Sequence, residues 1–532
     1  MSYVVVVADR IAEAGLELLS ATPELEVIVT AGEAHRLPEA LARAHGLIVR
    51  SDTTVTEDLL AQAPHLSVVG RAGVGVDNID LEAATRRGIA VLNVPGANTV
   101  SAAEHAMALL LALLRRIPWA AESMRAGAWD RKRFPGTELR GKRLGIVGLG
   151  RVGLHVAAIG KAFGMRVRAY DPYLPEDRAA DAGVTLVPLE QLLREADVVT
   201  LHLPLTNETQ HLMDAERLAL MKPTAVLVNT ARGGLLDDEA LLEAVEQGRL
   251  AGAALDVFDP EPLPADSPLR TSERILLTPH LAASTAEAQE RVAAEISANV
   301  RNALIEGTLR GAVNLPGISS DTLTRLAGVL DLARRLGRLA AGLAHRRVRA
   351  VEVIYGGDDD AAPKPAMLAA LEGVLSALGV GAVSLVNAAS RAADRGVTVE
   401  RRVGQPLPGF ETTVGVIVQG ADGLVRVDGT LLGDRAGRVV RIDGHPVDVP
   451  AEGDVIVVRN RDVPGVIGRV GTALGAASVN IASYHQSRRP DETGYALAAI
   501  VVDQLPERTV LEALAGEADV VDVRYADLDG PA

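Results

Sequence analysis

The sequence has no cysteine. That removes disulfides, thiolate catalysis and zinc–thiolate sites from consideration. No long apolar run is present either. The longest, Ala106 to Leu114, falls far short of a membrane span. There is no basic excess: 54 Lys and Arg stand against 69 Asp and Glu, a net charge of −15. Such a balance argues against a nucleic-acid or anionic-membrane surface and still allows local basic pockets for an anionic metabolite. The N-terminus opens on Val4-Val-Val-Val7 with acidic residues soon after. That reads as a strand and not as a signal peptide. A soluble cytoplasmic protein without a metal site is the expectation. At 532 residues, 48% of them apolar, a single core is excluded in favour of three or four domains.

The chain is organised around Leu144-Gly-Ile-Val-Gly148-Leu-Gly150-Arg151-Val152-Gly153. The apolar run reads as a buried strand, and Arg151 to Phe163 has helical periodicity. Gly148 allows the tight turn, Gly150 lets backbone N–H groups approach a pyrophosphate, and Gly153 lets helix and strand pack closely. The helix N-terminus adds oriented N–H groups and partial positive charge. A second strand, Met165 to Tyr170, ends at Asp171, 18 residues beyond Gly153. A carboxylate there can bind both ribose hydroxyls of NAD and repel the 2′-phosphate of NADP. The plainer alternative is a solvated Asp before Pro172.

Upstream, residues 1–97 alternate short strands (Val4–Val7, Val27–Val29, Gly46–Val49, Val68–Val69) with helical patterns (Glu13–Leu19, Pro38–Ala44, Thr56–Ala61). This is a doubly wound α/β pattern. Two loops at strand ends, where ligands bind in such sheets, carry Arg50 and Arg71 as candidate anion contacts. The Gly73–Gly75 loop can offer N–H groups to a carboxylate. Both arginines can also be plain surface residues. Asn98 is expected to cap a helix running to Arg116, with Ser101 and Glu104 as a capping box. The basic loop Trp129-Asp-Arg131-Lys132-Arg133-Phe134 reads as a subunit contact, as an anion site lent by a neighbour, or as a basic surface loop.

Downstream, strands end at His202, Asn229, Asp256 and Thr278, so polar residues gather where the nicotinamide end of a cofactor would lie. Arg232 can bind a substrate carboxylate bidentately. His280 can take and give a proton near neutrality, and Glu261 can orient it. An amphipathic helix from Ser284 to Glu306 is expected to return to the first domain, making that domain discontinuous. Asn314-Leu-Pro316-Gly317 reads as a linker. Residues 317–452 carry helical stretches (Leu323–Leu343, Pro365–Leu378), then strands separated by Gly-Asp turn signals, and no catalytic set. Residues 453–532 read as βαββαβ. There Asp462 and Asn480 flank a helix N-terminus and could hold the charged groups of an amino acid.

Val49-Arg-Ser, Gly70 to Asn78, the glycine loop, Asn229-Thr-Ala-Arg-Gly-Gly234, Ala254-Leu-Asp-Val-Phe258 and Pro279 to Thr285 together resemble D-3-phosphoglycerate dehydrogenase of the long form. Residues 1–316 resemble the D-2-hydroxyacid dehydrogenase superfamily, the next region its intervening domain, and Arg461 to Gly468 an ACT domain. The resemblance implies a substrate domain of residues 1–97 and 286–316, an NAD-binding domain of 98–285, an intervening domain of 317–452 and an ACT domain of 453–532. It implies NAD-dependent oxidation of 3-phospho-D-glycerate at the head of serine synthesis. Arg232, Glu261 and His280 match the catalytic set. Gly148, Gly150, Arg151, Val152, Gly153, Asp171 and Asp256 match the cofactor side. Arg50, Arg71, Gly73 and Val74 match the substrate side, and Arg131, Lys132 and Arg133 match a loop lent across subunits to the substrate phosphate. A homotetramer regulated by L-serine is implied, with Asn460, Asp462 and Asn480 at the effector positions. Asn460 stands where the family can carry Tyr, and Pro446 and Pro450 stand where basic residues are expected. Two other readings are another D-2-hydroxyacid dehydrogenase and an NAD-sensing corepressor on the same fold; the Arg232–Glu261–His280 set and the acidic surface disfavour the second.

Overall fold

The computed structural model describes residues 2–315, 317–344, 348–421, 423–433 and 436–530. They fall into two compact units. One comprises Met1–Arg10, Leu16–Asn93 and Ile296–Ala532, the other Ile11–Gly15 and Val94–Glu295.

The first unit opens with a five-stranded parallel sheet in the order Leu25–Val29, Tyr3–Val7, Gly46–Val49, Val68–Arg71, Ala90–Leu92. Its central strands are continuous apolar runs, with Val5, Val6 and Val7 fully buried, as expected of parallel strands covered on both faces. The C-terminal half of the helix Ala286–Glu306 lies over Gly46 and Gly70 through Ile296, Val300 and Leu304. Next comes a six-stranded mixed sheet in the order 398–404, 350–356, 413–419, 424–432, 436–442, 445–450. The helices Ala327–Leu343 and Pro363–Ala377 pack with it in one apolar core. The last sheet is antiparallel, in the order 481–487, 495–502, 454–461, 520–527, with helices Val466–Ala476 and Arg508–Ala515. This is the expected βαββαβ.

Its strand Asp454–Arg461 is buried on both faces. Val455 and Val457 join the core built on the 327–343 helix, while Ile456 and Val458 join Val466, Val470 and Leu474. A run of four apolar residues, rather than alternation, is what two covered faces require.

The second unit is a seven-stranded parallel sheet in the order 275–277, 252–255, 226–229, 198–201, 143–147, 166–170, 185–186. Strand order reverses between 143–147 and 198–201, the switch point where such sheets bind ligands.

Several expectations are corrected. Asn98 does not cap its helix. At φ −107°, ψ 8° it lacks the extended backbone of a cap, and its side chain makes no capping bond. Ser101 is buried and its hydroxyl meets that of Thr285 at 2.8 Å, so no capping box forms with exposed Glu104. The helix expected over Leu323–Leu343 is two helices, Ser320–Arg325 and Ala327–Leu343. Ser319 caps the first through the Thr322 N–H, and Leu326 ends it. Asn314 is no loose linker: it accepts from Val91 N at 3.0 Å and donates to Ile89 O at 2.9 Å, pinning the strand 90–92. Pro316 lies outside the described residues. The strand Ala90–Leu92 and the helices Leu81–Arg86 and Ala388–Asp394 were not expected, nor was the strand Thr398–Gly404. Among the described residues no helix is long and apolar enough to cross a membrane, and no group of His, Cys, Asp or Glu could hold a metal.

Candidate active site

The three glycines of the loop differ in what surrounds them. Gly148 has φ +95°, and a methyl there would lie 2.7 Å from His202 O. A methyl on Gly153 would sit 2.1 Å from Gly148 O, so helix and loop touch through it. Gly150 has no atom within 4 Å of the equivalent position, which leaves its backbone open to a ligand. This cradle fits a dinucleotide pyrophosphate at the N-terminus of the helix Arg151–Ala162. Val152 packs half-buried behind it, and Arg151 bonds the Pro95 carbonyl. Asp171 lies at the end of the neighbouring strand. Its Oδ2 accepts from Leu149 N at 2.9 Å, and its Oδ1 accepts from Tyr173 N at 2.9 Å. It therefore braces the loop while remaining partly exposed.

His280 and Glu261 meet as expected, with Nδ1 2.8 Å from Oε2. The other carboxylate oxygen accepts from Phe258 N at 2.9 Å. Burial raises the Glu261 pKa, but the His280 bond, the Phe258 N–H and the charges of His280 and Arg232 outweigh it and hold the carboxyl below its ordinary range. Arg232 follows the strand Val226–Asn229, and Asn229 shapes its turn: Nδ2 donates to Arg232 O at 2.8 Å, and Oδ1 accepts from Ala231 N at 3.1 Å. A cavity of about 570 Å³ adjoins the pair, lined by Phe258, Leu263, Leu277 and Pro279 among others.

Asp256 directly follows the strand Gly252–Leu255. Its side chain is fully buried. It accepts from Thr278 Oγ1 at 2.6 Å, Leu281 N at 2.8 Å and Ala282 N at 2.9 Å, and faces His105 Nε2 at 3.1 Å. It supports the turn that carries His280. Burial raises its pKa, yet the bonds from His105, Thr278 and Leu281 N hold it low and the carboxylate charged. His105 was missed in the sequence, and Thr278 was noted there only as a strand end. The available signal was a histidine at the head of the most apolar stretch of the chain.

In the first unit, Arg50 and Arg71 stand on adjacent strands, Val49 pairing with Arg71. The Arg50 guanidinium reaches Arg10 O at 3.2 Å. Buried Asp9, also missed, shapes this loop by accepting from Arg50 N and from Thr53 Oγ1, each at 2.5 Å. The Arg71 guanidinium lies over Gly73, where a methyl would meet it at 1.5 Å. Asn93 holds Val74 O at 2.6 Å.

The basic loop Arg131–Arg133 is a single exposed 3₁₀ turn beside Trp129, which is 77% exposed. Arg133 reaches Glu273 at 3.6 Å. The expected effector residues each bond a different partner. Asn460 is 1% exposed, its Nδ2 bonded to Arg461 O. Asp462 pairs with Arg488 at 2.7 Å, and Asn480 bonds Asp503 at 2.7 Å.

A nucleotide cradle at the switch point and a carboxylate–imidazole pair on the same sheet define an NAD-dependent oxidoreductase. Residues 107–282 match the NAD binding domain of the D-isomer specific 2-hydroxyacid dehydrogenases. Residues 325–443 match the D-3-phosphoglycerate dehydrogenase intervening domain, and 455–519 match the ACT domain. The chain is 42% identical over 528 residues to D-3-phosphoglycerate dehydrogenase of Mycobacterium tuberculosis, covering 99% of both chains. It is 41% identical to that of Synechocystis, over 96% of this chain and 92% of the other. Among solved structures, the TT0316 protein of Thermus thermophilus is 40% identical, with a TM-score of 0.52 over 57% of this chain and 97% of its own. D-lactate dehydrogenase of Aquifex aeolicus, solved with NAD and lactic acid, is 31% identical, with a TM-score of 0.50 over 57% and 96%. The chain belongs to the D-3-phosphoglycerate dehydrogenase family.

Proposed function

We propose that this chain oxidises 3-phospho-D-glycerate to 3-phosphohydroxypyruvate with NAD, the first step of L-serine biosynthesis. The observation that carries the reading is the 2.8 Å His280–Glu261 pair on an NAD-binding domain. It stands in a chain that matches dehydrogenases of that name along almost its whole length. Bound on the Gly148–Gly153 cradle with Asp171 at the ribose, NAD supplies the hydride acceptor for C2. His280 Nδ1 is held by Glu261, so Nε2 is the atom that takes the C2 hydroxyl proton. Glu261 stabilises the imidazolium that results, and the C2–O bond becomes a carbonyl as hydride departs. Arg232 grips the substrate carboxylate in fork geometry and polarises the C2 oxygen. Gly73 and Val74 add backbone N–H groups, and Arg50 and Arg71 serve as anion contacts for the phosphate.

The reading extends to a substrate domain of residues 1–97 and 286–316 and an NAD-binding domain of 98–285. An intervening domain of 317–452 and an ACT domain of 453–532 follow. The exposed Arg131-Lys132-Arg133 loop is lent to a neighbouring subunit's phosphate site in a cytoplasmic homotetramer. The ACT domain binds L-serine through Asp462 and Asn480 and feeds back on turnover.

The test is NADH formation from 3-phosphoglycerate and NAD at alkaline pH with a ketone trap, with and without L-serine. Turnover suppressed by serine supports both halves. Turnover indifferent to serine keeps the reaction and removes the regulation. No turnover overturns the substrate and calls for a panel of unphosphorylated 2-hydroxy acids.

A further inference from the structure

We infer that His105, on the helix Thr99–Leu114, is a positioning residue for His280, acting through the buried carboxylate of Asp256. The inference rests on His280 being the proton acceptor. The geometry starts at His280 itself, whose backbone is left-handed at φ +53°. A side chain with a Cβ holds that conformation only where its surroundings over-determine it. Here they do. The His280 N–H donates to Asp256 O at 2.8 Å and to Thr278 O at 3.1 Å. The Asp256 carboxylate takes hydrogen bonds from residues on both sides of His280: Thr278 before it, Leu281 and Ala282 after it. One buried side chain therefore sets the turn from which the imidazole projects.

His105 completes that carboxylate. Its Nε2 lies 3.1 Å from Asp256 Oδ1 and 3.3 Å from Thr278 Oγ1. An ionised carboxylate only accepts, and Thr278 Oγ1 already donates to it, so Nε2 carries the hydrogen. The acceptors of a carboxylate with no exposed surface are otherwise filled from its own turn. His105 is the contact that comes from a different element. It ties the turn to a helix packed against the sheet, whose residues Ala106, Met107, Leu109, Leu110 and Leu113 are buried in the same core as Leu144 and Ile146. Losing it leaves Asp256 and the 278–282 turn joined to the sheet but free to tilt, and a displacement of about 1 Å at a reacting group costs on the order of 10²-fold in rate.

The experiment uses the full-length enzyme and compares His105→Leu with His105→Gln, whose amide nitrogen can reach the position of Nε2. His105→Leu lowers kcat about 10-fold to 100-fold, with NADH Kd and Tm near those of the parent. The isotope effect on kcat with 2-deuterated substrate rises, because the chemical step slows. His105→Gln restores most of kcat. If His105→Leu does not fold, His105→Asn, too short to reach Asp256, replaces it in the comparison. A Leu or Asn variant with parental kcat overturns the inference, as does a Gln variant that loses kcat as fully as Leu. A parent inactive on 3-phosphoglycerate but active on another 2-hydroxy acid overturns only the substrate, and the His105 comparison is then read on that acid. A parent inactive on all of them overturns both.

Discussion

The turn that carries His280 and the loop that carries Asp462 were expected to be sites on similar grounds: a few polar residues at the mouth of an element, matching a family pattern. They turn out differently. Around His280 the expected His280–Glu261 pair forms, and a buried layer behind the turn holds it: Asp256 takes three donors from the turn and His105 closes it. Around Asp462 the partners are more dispersed. Asp462 turns to the largely exposed Arg488, Asn480 turns to Asp503, and Asn460 is closed inside the sheet. A site is recognised less by the residues that would touch a ligand than by whether a second set of groups obliges them to point there.

This contrast can be broken or sharpened, and the largest effect belongs to the strong side. Replacing His280 with Ala lowers kcat/KM by about 10² to 10⁴-fold, while NADH binding, read by fluorescence titration, stays close to the parent. Equal loss of both would mean that the turn is scaffold and not chemistry. The glycine loop offers a second division. Gly153→Ala forces a methyl to 2.1 Å from Gly148 O, and calorimetry should show a loss of roughly 1–3 kcal/mol. Gly150→Ala meets nothing within 4 Å, so Tm holds while NADH affinity falls. A Gly150 variant with parental affinity would mean that the pyrophosphate does not approach there.

Glu261→Gln is next in size for stability. Its folded pKa lies below the ordinary 4.5. The pair's contribution is therefore present above that value and lost as pH falls through the native one. With the Glu261 side chain 36% exposed, screening keeps it under about 1 kcal/mol. The Gln variant should melt slightly below the parent across the neutral region and converge with it at the acid end, so that its Tm-against-pH curve has a flatter acid limb. The smallest effect belongs to the weak side: Arg488→Ala, removing a partner that is 72% exposed, shifts Tm by a fraction of a degree to a degree or so. If it also sharpens a serine response, Asp462 is a ligand residue that the ion pair restrains.

Much of this was legible because the physics is local. A glycine where a methyl would strike a carbonyl, or an apolar run buried on both faces, leaves its mark within a few residues. His280, Glu261 and Arg232 were legible because each follows a strand in a sheet whose ligand edge is known in advance. What escaped depends on partners far along the chain. Asp9, His105 and Thr278 look ordinary beside their sequence neighbours and acquire meaning only across 41, 151 and 22 residues. The strand Thr398–Gly404 escaped because it is a largely exposed edge strand with polar residues at its centre, so no apolar alternation marks it. Asn98 misled because its type suits a cap and its backbone does not.

The strand Asp454–Arg461, covered on both faces, makes the two C-terminal modules one thermodynamic object. Val455, Val457, Leu497, Ala499, Val501, Ala526 and Leu528 lie in the same core as Leu332, Leu336, Leu339 and Val427. Shortening the chain before residue 454 would strip the intervening sheet and its long helix of an apolar cover and leave a sticky face in water. Truncation at residue 454 is therefore no clean way to remove the ACT domain alone. The two modules melt in one transition, and a destabilising change in either should lower the unfolding temperature of both.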